Sequence, residues 1–281
     1  MGKFDGVIIV SDIDGTFLGK DSRMVPENIE AIDYFKSEGG MFTLATGREI
    51  FMIPRRVPNL KELCNCPIIA SNGAYIYDLQ RDMIVDEEFL PEPEISGIVD
   101  AARAMCPQVS LRITCGGKQL ADKDYPALQS TMANYPGSVA VVPYEEIPRG
   151  CWHHVTWMGA PEELEAVRQA VAPYVKGGCA CVFGGQRIFE ITSARGTKGE
   201  MIGRLKKRIG RESAVVWAIG DYENDLAMLR MADRCAMPEN GIDSLRSIPG
   251  IVEVCHHDKG AIAGLISHIE RELDGGIQNE A

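Results

Sequence analysis

Positive charge is in short supply: 29 lysines and arginines face 40 aspartates and glutamates in 281 residues, for a formal net charge of -11. An average field of that sign repels nucleic-acid backbones and anionic membrane surfaces, so neither is an expected partner. No stretch approaches the roughly 20 continuous apolar residues that span a bilayer. A basic segment followed by a hydrophobic signal core is also missing at the N-terminus, and cytoplasmic residence is the expectation. The nine cysteines lack the two-residue spacing of zinc knuckles, the close pairs being Cys64-x-Cys66 and Cys179-x-Cys181. They read as reduced, mostly buried thiols. Internal repeats and low-complexity tracts are absent too. What remains is an ordinary globular composition, 45% hydrophobic and 25% charged, able to bury a core without staples and long enough for two domains. On this surface an anionic metabolite needs local help: a bound cation, a few basic side chains, or backbone N–H groups at helix starts.

Hydrophobic patterning organises the chain. Residues 7–10 form a short β-branched run that stops at Ser11 and Asp12, as a parallel strand buried on both faces would. A helix over 26–37 ends at Gly39-Gly40, a second strand covers 41–45, a proline-broken helix covers 49–60, and a third strand covers 67–70. Strand and helix alternating at this spacing predict an α/β fold with a Rossmann-like, doubly wound parallel sheet. After about residue 77 the segments shorten and alternate, at 83–89, 110–114, 139–142 and 153–158, with helices over 93–105 and 161–174. That predicts a more solvated, partly antiparallel sheet in an inserted α/β domain, residues 82–187. The buried-strand pattern returns at 214–219, between helices over 198–209 and 224–232, so the core is discontinuous: 1–81 and 188–281. The polar, Gly-rich tail, 274–281, is expected to fray.

Acidic residues sit where such a sheet binds ligands. Asp12-Ile13-Asp14-Gly15-Thr16 follows the first strand, and in open α/β sheets ligands lie in the crevice beyond the strands' carboxyl ends. Asp-Gly is also a common turn dipeptide. A second cluster, Gly220-Asp221-Tyr222-Glu223-Asn224-Asp225, follows another strand and can face the first. Carboxylates gathered there would repel one another, and a hard divalent cation with oxygen ligands resolves the repulsion. Asp225 can also serve as a helix cap. Thr46-Gly47-Arg48 ends the second strand and would offer a hydroxyl and N–H groups to an anion, although threonine and glycine also open helices as caps. Lys198 stands where the insertion returns to the core and can neutralise a nucleophilic carboxylate and hold a phosphoryl group.

DIDGT, TGR, the Lys198 segment and GDYEND follow the order of the four motifs of the haloacid dehalogenase superfamily. Over essentially the whole chain the sequence resembles its Cof-like phosphatases, whose large α/β cap is inserted between the second and third motifs; SNGAYIY is similar to a recurring segment of that group. The resemblance implies a magnesium-dependent phosphatase of small phosphate esters, sugar phosphates foremost. Asp12 would be the nucleophile, giving an aspartyl-phosphate, and Asp14 the acid and then the base. Magnesium would be held by the Asp12 carboxylate, the Asp14 carbonyl and Asp221, with Asp225 or Asn224 supporting. Thr46, Lys198 and Asn224 would bind phosphoryl oxygens, Gly47 would offer its N–H, and Arg48 would reach the phosphate or the cap.

The cap would close over substrate, with Asp78 to Arg81, Gly184-Gly185 and Ser193 to Gly196 as candidate hinges. Arg187 and Glu190 lie near the return crossing. Neither His153-His154 nor His256-His257 is expected to ligate metal: alternation along a strand turns the first pair to opposite faces, and the second resembles the family's final loop before the last helix. A phosphomutase shares these motifs and is the alternative; a phosphate-sensing protein without activity predicts lost catalytic groups, and all are present. A monomer or weak homo-oligomer is expected.

Overall fold

The computed structural model describes residues 2–115 and 118–278, and they form two compact units. The first comprises Met1–Ala70, Ile76–Asp86 and Lys198–Ala281; the second comprises Ser71–Tyr75 and Glu87–Thr197.

In the first unit the strands Val252–Val254, Arg234–Pro238, Val215–Ile219, Val7–Ser11 and Met41–Leu44 lie in that order in one parallel sheet. Alternate side chains enter two cores. Ile9, Phe42, Trp217 and Ile219 pack with Ile32, Phe35, Ile262 and Leu265 of the helices Pro26–Ser37 and Ala261–Gln278. Ile8, Val10, Val216 and Ala218 pack with Met201, Leu205, Met228 and Leu229 of the helices Lys198–Arg208 and Leu226–Met231. Burial on both faces explains the unbroken apolar runs. From Val7–Ser11 the chain first builds toward Met41–Leu44 and later returns to Val215–Ile219 on the other side. That reversal makes the junction of Val7–Ser11 and Val215–Ile219 the sheet's switch point, the place where open α/β sheets bind ligands.

The second unit holds a six-stranded sheet ordered Cys179–Gly185, Ile188–Ser193, Trp152–Met158, Ser110–Cys115, Lys118–Ala121, Val139–Val141. Its pairings are antiparallel except the last, which is parallel. Helices Glu94–Met105 and Pro161–Val171 cover one face through Ile95, Ile98, Leu164 and Val167, against Leu111, Ile113, Val155 and Trp157.

Three expectations need correction. Residues 49–60 form only a 3-10 turn at Ile50–Met52, with a short helix at Leu60–Leu63, because Pro54 and Pro58 remove the donors a continuous helix needs. The last helix runs through Gln278, into the tail expected to fray; residues 279–281 lie outside the described ones. The cysteines are not all thiols: Cys115 and Cys151 are joined, brought together across 36 positions by the pairing of Cys115 with Trp152 in adjacent strands. Cys64 and Cys66 are free and buried, and burial pushes the Cys66 thiol up to about 12. Among the described residues no helix is long and apolar enough to cross a membrane.

Candidate active site

Strand register puts the two acidic motifs side by side. Ser11 pairs with Ile219, and the next residue's N–H, that of Asp12, donates to the Ile219 carbonyl at 2.9 Å. Both strands end together, so Asp12 and Gly220-Asp221 leave the sheet at the same point. Gly15 then allows the loop to fold against Asp221. It adopts φ +86°, and a Cβ there would lie 2.4 Å from Asp221 Oδ2. Thr16 Oγ1 donates to Asp221 Oδ1 at 2.8 Å, tying the loops together.

Lys198 arrives at the first turn of its helix. Gly199 beside it lets that helix approach the backbone of Ala227, where a Cβ would sit 2.4 Å from the carbonyl oxygen. The ammonium lies 2.6 Å from Asp12 Oδ1 and 2.7 Å from Asp225 Oδ1, with all three side chains buried. Asp225 Oδ2 accepts the backbone N–H groups of Asp221 and Tyr222 at 3.0 and 3.1 Å. Asp225 is therefore at once the cap of its own turn and the second anchor of Lys198.

Burial dominates the electrostatics. It pushes the Asp12 carboxyl well up, against the pull of Lys198 and with the carboxylates of Asp225, Asp221 and Asp14 adding to the rise. Burial, followed by Asp225, raises Asp221 to about 6. Lys198 would be lowered by its burial, but Asp12 and Asp225 more than offset this and raise it. Oxygen atoms of Asp12, Asp221 and Asp225 lie within 4.8 Å of one another, so three carboxylates gather around one ammonium. That unbalanced charge, carried entirely on oxygen donors, suits a hard divalent cation.

At the Thr46-Gly47-Arg48 turn, Thr46 is buried, its N–H on the Ile69 carbonyl and its hydroxyl accepting the Arg48 N–H at 3.1 Å. Arg48 grips the exposed Asp14 carboxylate through Nε and Nη2. Asn224 is half-buried in the 3-10 turn Glu223–Asp225. Thus the structure gathers Asp12, Lys198, Asp221 and Asp225 in direct contact or near it, and joins Arg48 to Asp14. In the second unit, His153 Nε2 lies 2.9 Å from Glu87 Oε2, whereas His154 lies near Ser71 and Glu190. Glu190 also accepts the Asn72 side-chain amide, and Arg187 is exposed.

Two residues escaped the sequence reading as site-builders. Thr16 stood in the first motif without a role. Asn240, whose Nδ2 donates to the Gly15 carbonyl at 2.8 Å, comes just after the strand Arg234–Pro238; looking at every strand end, rather than only at acidic ones, would have flagged it.

Residues 9–266 match the family described as haloacid dehalogenase-like hydrolase. The chain is 25% identical over 256 residues to the putative phosphatase YxeH of Bacillus subtilis (strain 168), covering 89% of this chain and 91% of that one. It is 23% identical over 277 residues to the 5-amino-6-(5-phospho-D-ribitylamino)uracil phosphatase YwtE of the same organism, covering 90% and 94%. Among solved structures, the subclass IIB sugar phosphatase BT4131 superposes with a TM-score of 0.78 at 18% identity, covering 93% of this chain and 98% of that one, a likeness of fold.

Proposed function

The chain belongs to the haloacid dehalogenase-like hydrolases and is a phosphatase of that family; from this premise we propose that it hydrolyses small phosphorylated metabolites, sugar phosphates foremost, using magnesium and an aspartyl-phosphate on Asp12. The observation that carries the proposal is a buried carboxylate at the switch point with a lysine on one oxygen only. Lys198 holds Asp12 Oδ1, which leaves Oδ2 to attack phosphorus. Stripped of water, that oxygen needs little desolvation before it reacts. As the P–O bond to the alcohol breaks, Asp14 gives the leaving oxygen a proton; it then takes one from the water that splits the acyl phosphate. Thr46, the Gly47 N–H, Arg48, Lys198 and Asn224 bind phosphoryl oxygens.

The carboxylates of Asp12 and Asp221 and the Asp14 carbonyl would hold the cation, with Asp225 behind them. When bound, magnesium supplies positive charge that offsets the crowded carboxylates and the substrate's phosphate. The sugar-phosphate reading is supported by the polyhydroxylated phosphate ester in YwtE's name and by the fold shared with a sugar phosphatase. The inserted unit is the proposed determinant of which ester is taken, and cytoplasmic residence accompanies a metabolite substrate.

The test incubates the protein with a panel of hexose and pentose monophosphates, polyol phosphates and nucleotides, with magnesium and with EDTA. Inorganic phosphate released only when magnesium is present, with sugar phosphates ranking highest in kcat/KM, is expected. Isomerised hexose phosphate without phosphate release would mean a mutase and overturn the proposal.

A further inference from the structure

Against the expectation from sequence, we propose that His256, His257 and Asp258 form a second metal site, for a borderline divalent transition ion of the zinc class, distinct from the all-oxygen cluster at Asp12. Each of the three offers a ligand atom, and these atoms all lie within 4.8 Å of one another. Sequence adjacency alone does not converge three side chains. Here a 3-10 turn at His257–Lys259, entered from an extended His256, does so.

Hydrogen bonds fix which ring nitrogens are unprotonated. His257 Nδ1 lies 2.7 Å from the Leu18 carbonyl oxygen, which can only accept, so the proton is on Nδ1 and Nε2 presents a lone pair. His256 Nδ1 accepts the backbone N–H of Asp258 at a long 3.3 Å, so that nitrogen is unprotonated, and an ion would take over its lone pair from this weak bond. Both face Asp258 Oδ2, at 3.6 Å from His256 Nδ1 and 4.0 Å from His257 Nε2. Three acceptors thus meet at one turn. The gaps are too long for hydrogen bonds, whereas zinc with legs of about 2.0–2.1 Å holds tetrahedral neighbours about 3.4 Å apart, within easy closure of these distances.

The outer atoms of two of the three ligands are already held, as a metal site requires. Leu18 orients the His257 ring, and Asp258 Oδ1 takes the Lys20 N–H at 2.6 Å. The side chains are 34%, 16% and 33% exposed in chain order, leaving an ion access and a solvent ligand. Two imidazoles and a carboxylate favour zinc or nickel over magnesium. The site adjoins the first motif: His257 N–H donates to Asn240 Oδ1, and Asn240 holds the Gly15 carbonyl.

The chain has five histidines, so imidazole Hε1 resonances can be followed individually. Full-length protein is stripped with EDTA, saturated with magnesium and titrated with zinc chloride, reading heat and the Hε1 signals. Expected are single-site binding that shifts the signals of His256 and His257, weakened about tenfold or more by His257→Gln and by Asp258→Asn, and kept in Asp12→Asn. Asp258→Asn preserves shape and serves should His257→Gln fold poorly. Binding lost in Asp12→Asn but kept in the other variants, binding that moves neither signal, or no binding at about 100 µM zinc overturns the proposal.

Discussion

Arg48 meets Asp14 fork to fork, with Nε 2.6 Å from Oδ2 and Nη2 2.7 Å from Oδ1. Both carboxylate oxygens are thereby occupied by donors. On the proposed mechanism Asp14 passes a proton to the leaving alcohol and needs one oxygen back, so Arg48 would have to release it when substrate binds. An incoming phosphoryl group is the natural competitor, since guanidinium pairs with phosphate through the same fork.

Arg48→Ala should therefore act on kinetics and not on folding. Losing charge-assisted hydrogen bonds worth about 1.5–3 kcal/mol lowers kcat/KM roughly tenfold to a hundredfold, mostly through KM. Arg48→Lys restores part of that, keeping the charge without the fork. With the pair's side chains 25% and 45% exposed, stability should shift by less than about 1 kcal/mol. Steady-state kinetics beside urea melts check this, and unchanged KM in Arg48→Ala would refute the exchange.

Asp12→Asn should lower kcat by about a thousandfold or more, since the amide cannot form the acyl phosphate. The fold should survive, because Lys198 keeps Asp225 at 2.7 Å and loses only one of two anionic partners. Phosphate release and the circular-dichroism melt decide the point together: full activity in a folded variant removes Asp12 from its role.

Lys198→Met makes the opposite change. It leaves the buried Asp12 and Asp225 without the ammonium both touch, and removing one partner of a buried pair costs about 3–5 kcal/mol. Adding Asp225→Asn to Lys198→Met should recover part of the loss. Urea unfolding of both variants measures it, and a Lys198→Met protein as stable as the parent would show that the carboxylates are hydrated or protonated instead.

How much of the fold and site is legible in the sequence depends on the range of each interaction. The runs at 7–10 and 214–219 declare themselves because strands buried on both faces have no polar alternation to hide them. Asp12, Asp221, Thr46 and Lys198 can be named because they flank such strands or the point where the insertion ends. What each side chain holds cannot: the Thr16–Asp221 bond spans 205 positions and the Asn240–Gly15 bond 225, and local pattern carries nothing across such distances. The strand Cys179–Gly185, ending in two glycines, lacks the apolar density of the core strands, and the Cys115–Cys151 bridge depends on sheet register.

Asp221 shapes the site's response to acid alongside Asp12, whose carboxyl burial also raises. The Asp221 carboxyl titrates at about 6 in the folded protein because burial, then Asp225, disfavours the anion, against 3.8 when unperturbed. A group raised on folding stabilises the native state fully below its unfolded value and loses that contribution as pH climbs through the folded one. Metal-free protein should thus lose stability from this residue between about pH 4 and 6, and a cation that needs the ionised carboxylate should restore it only above that range. The rise in Tm on adding magnesium should be large at pH 7 and small at pH 5, with magnesium affinity falling about tenfold for each pH unit below 6. Asp221→Asn should weaken the pH trend, leaving the part that Asp12 carries, and abolish most of the magnesium effect. An equal magnesium shift at pH 5 and 7 would place the cation away from Asp221.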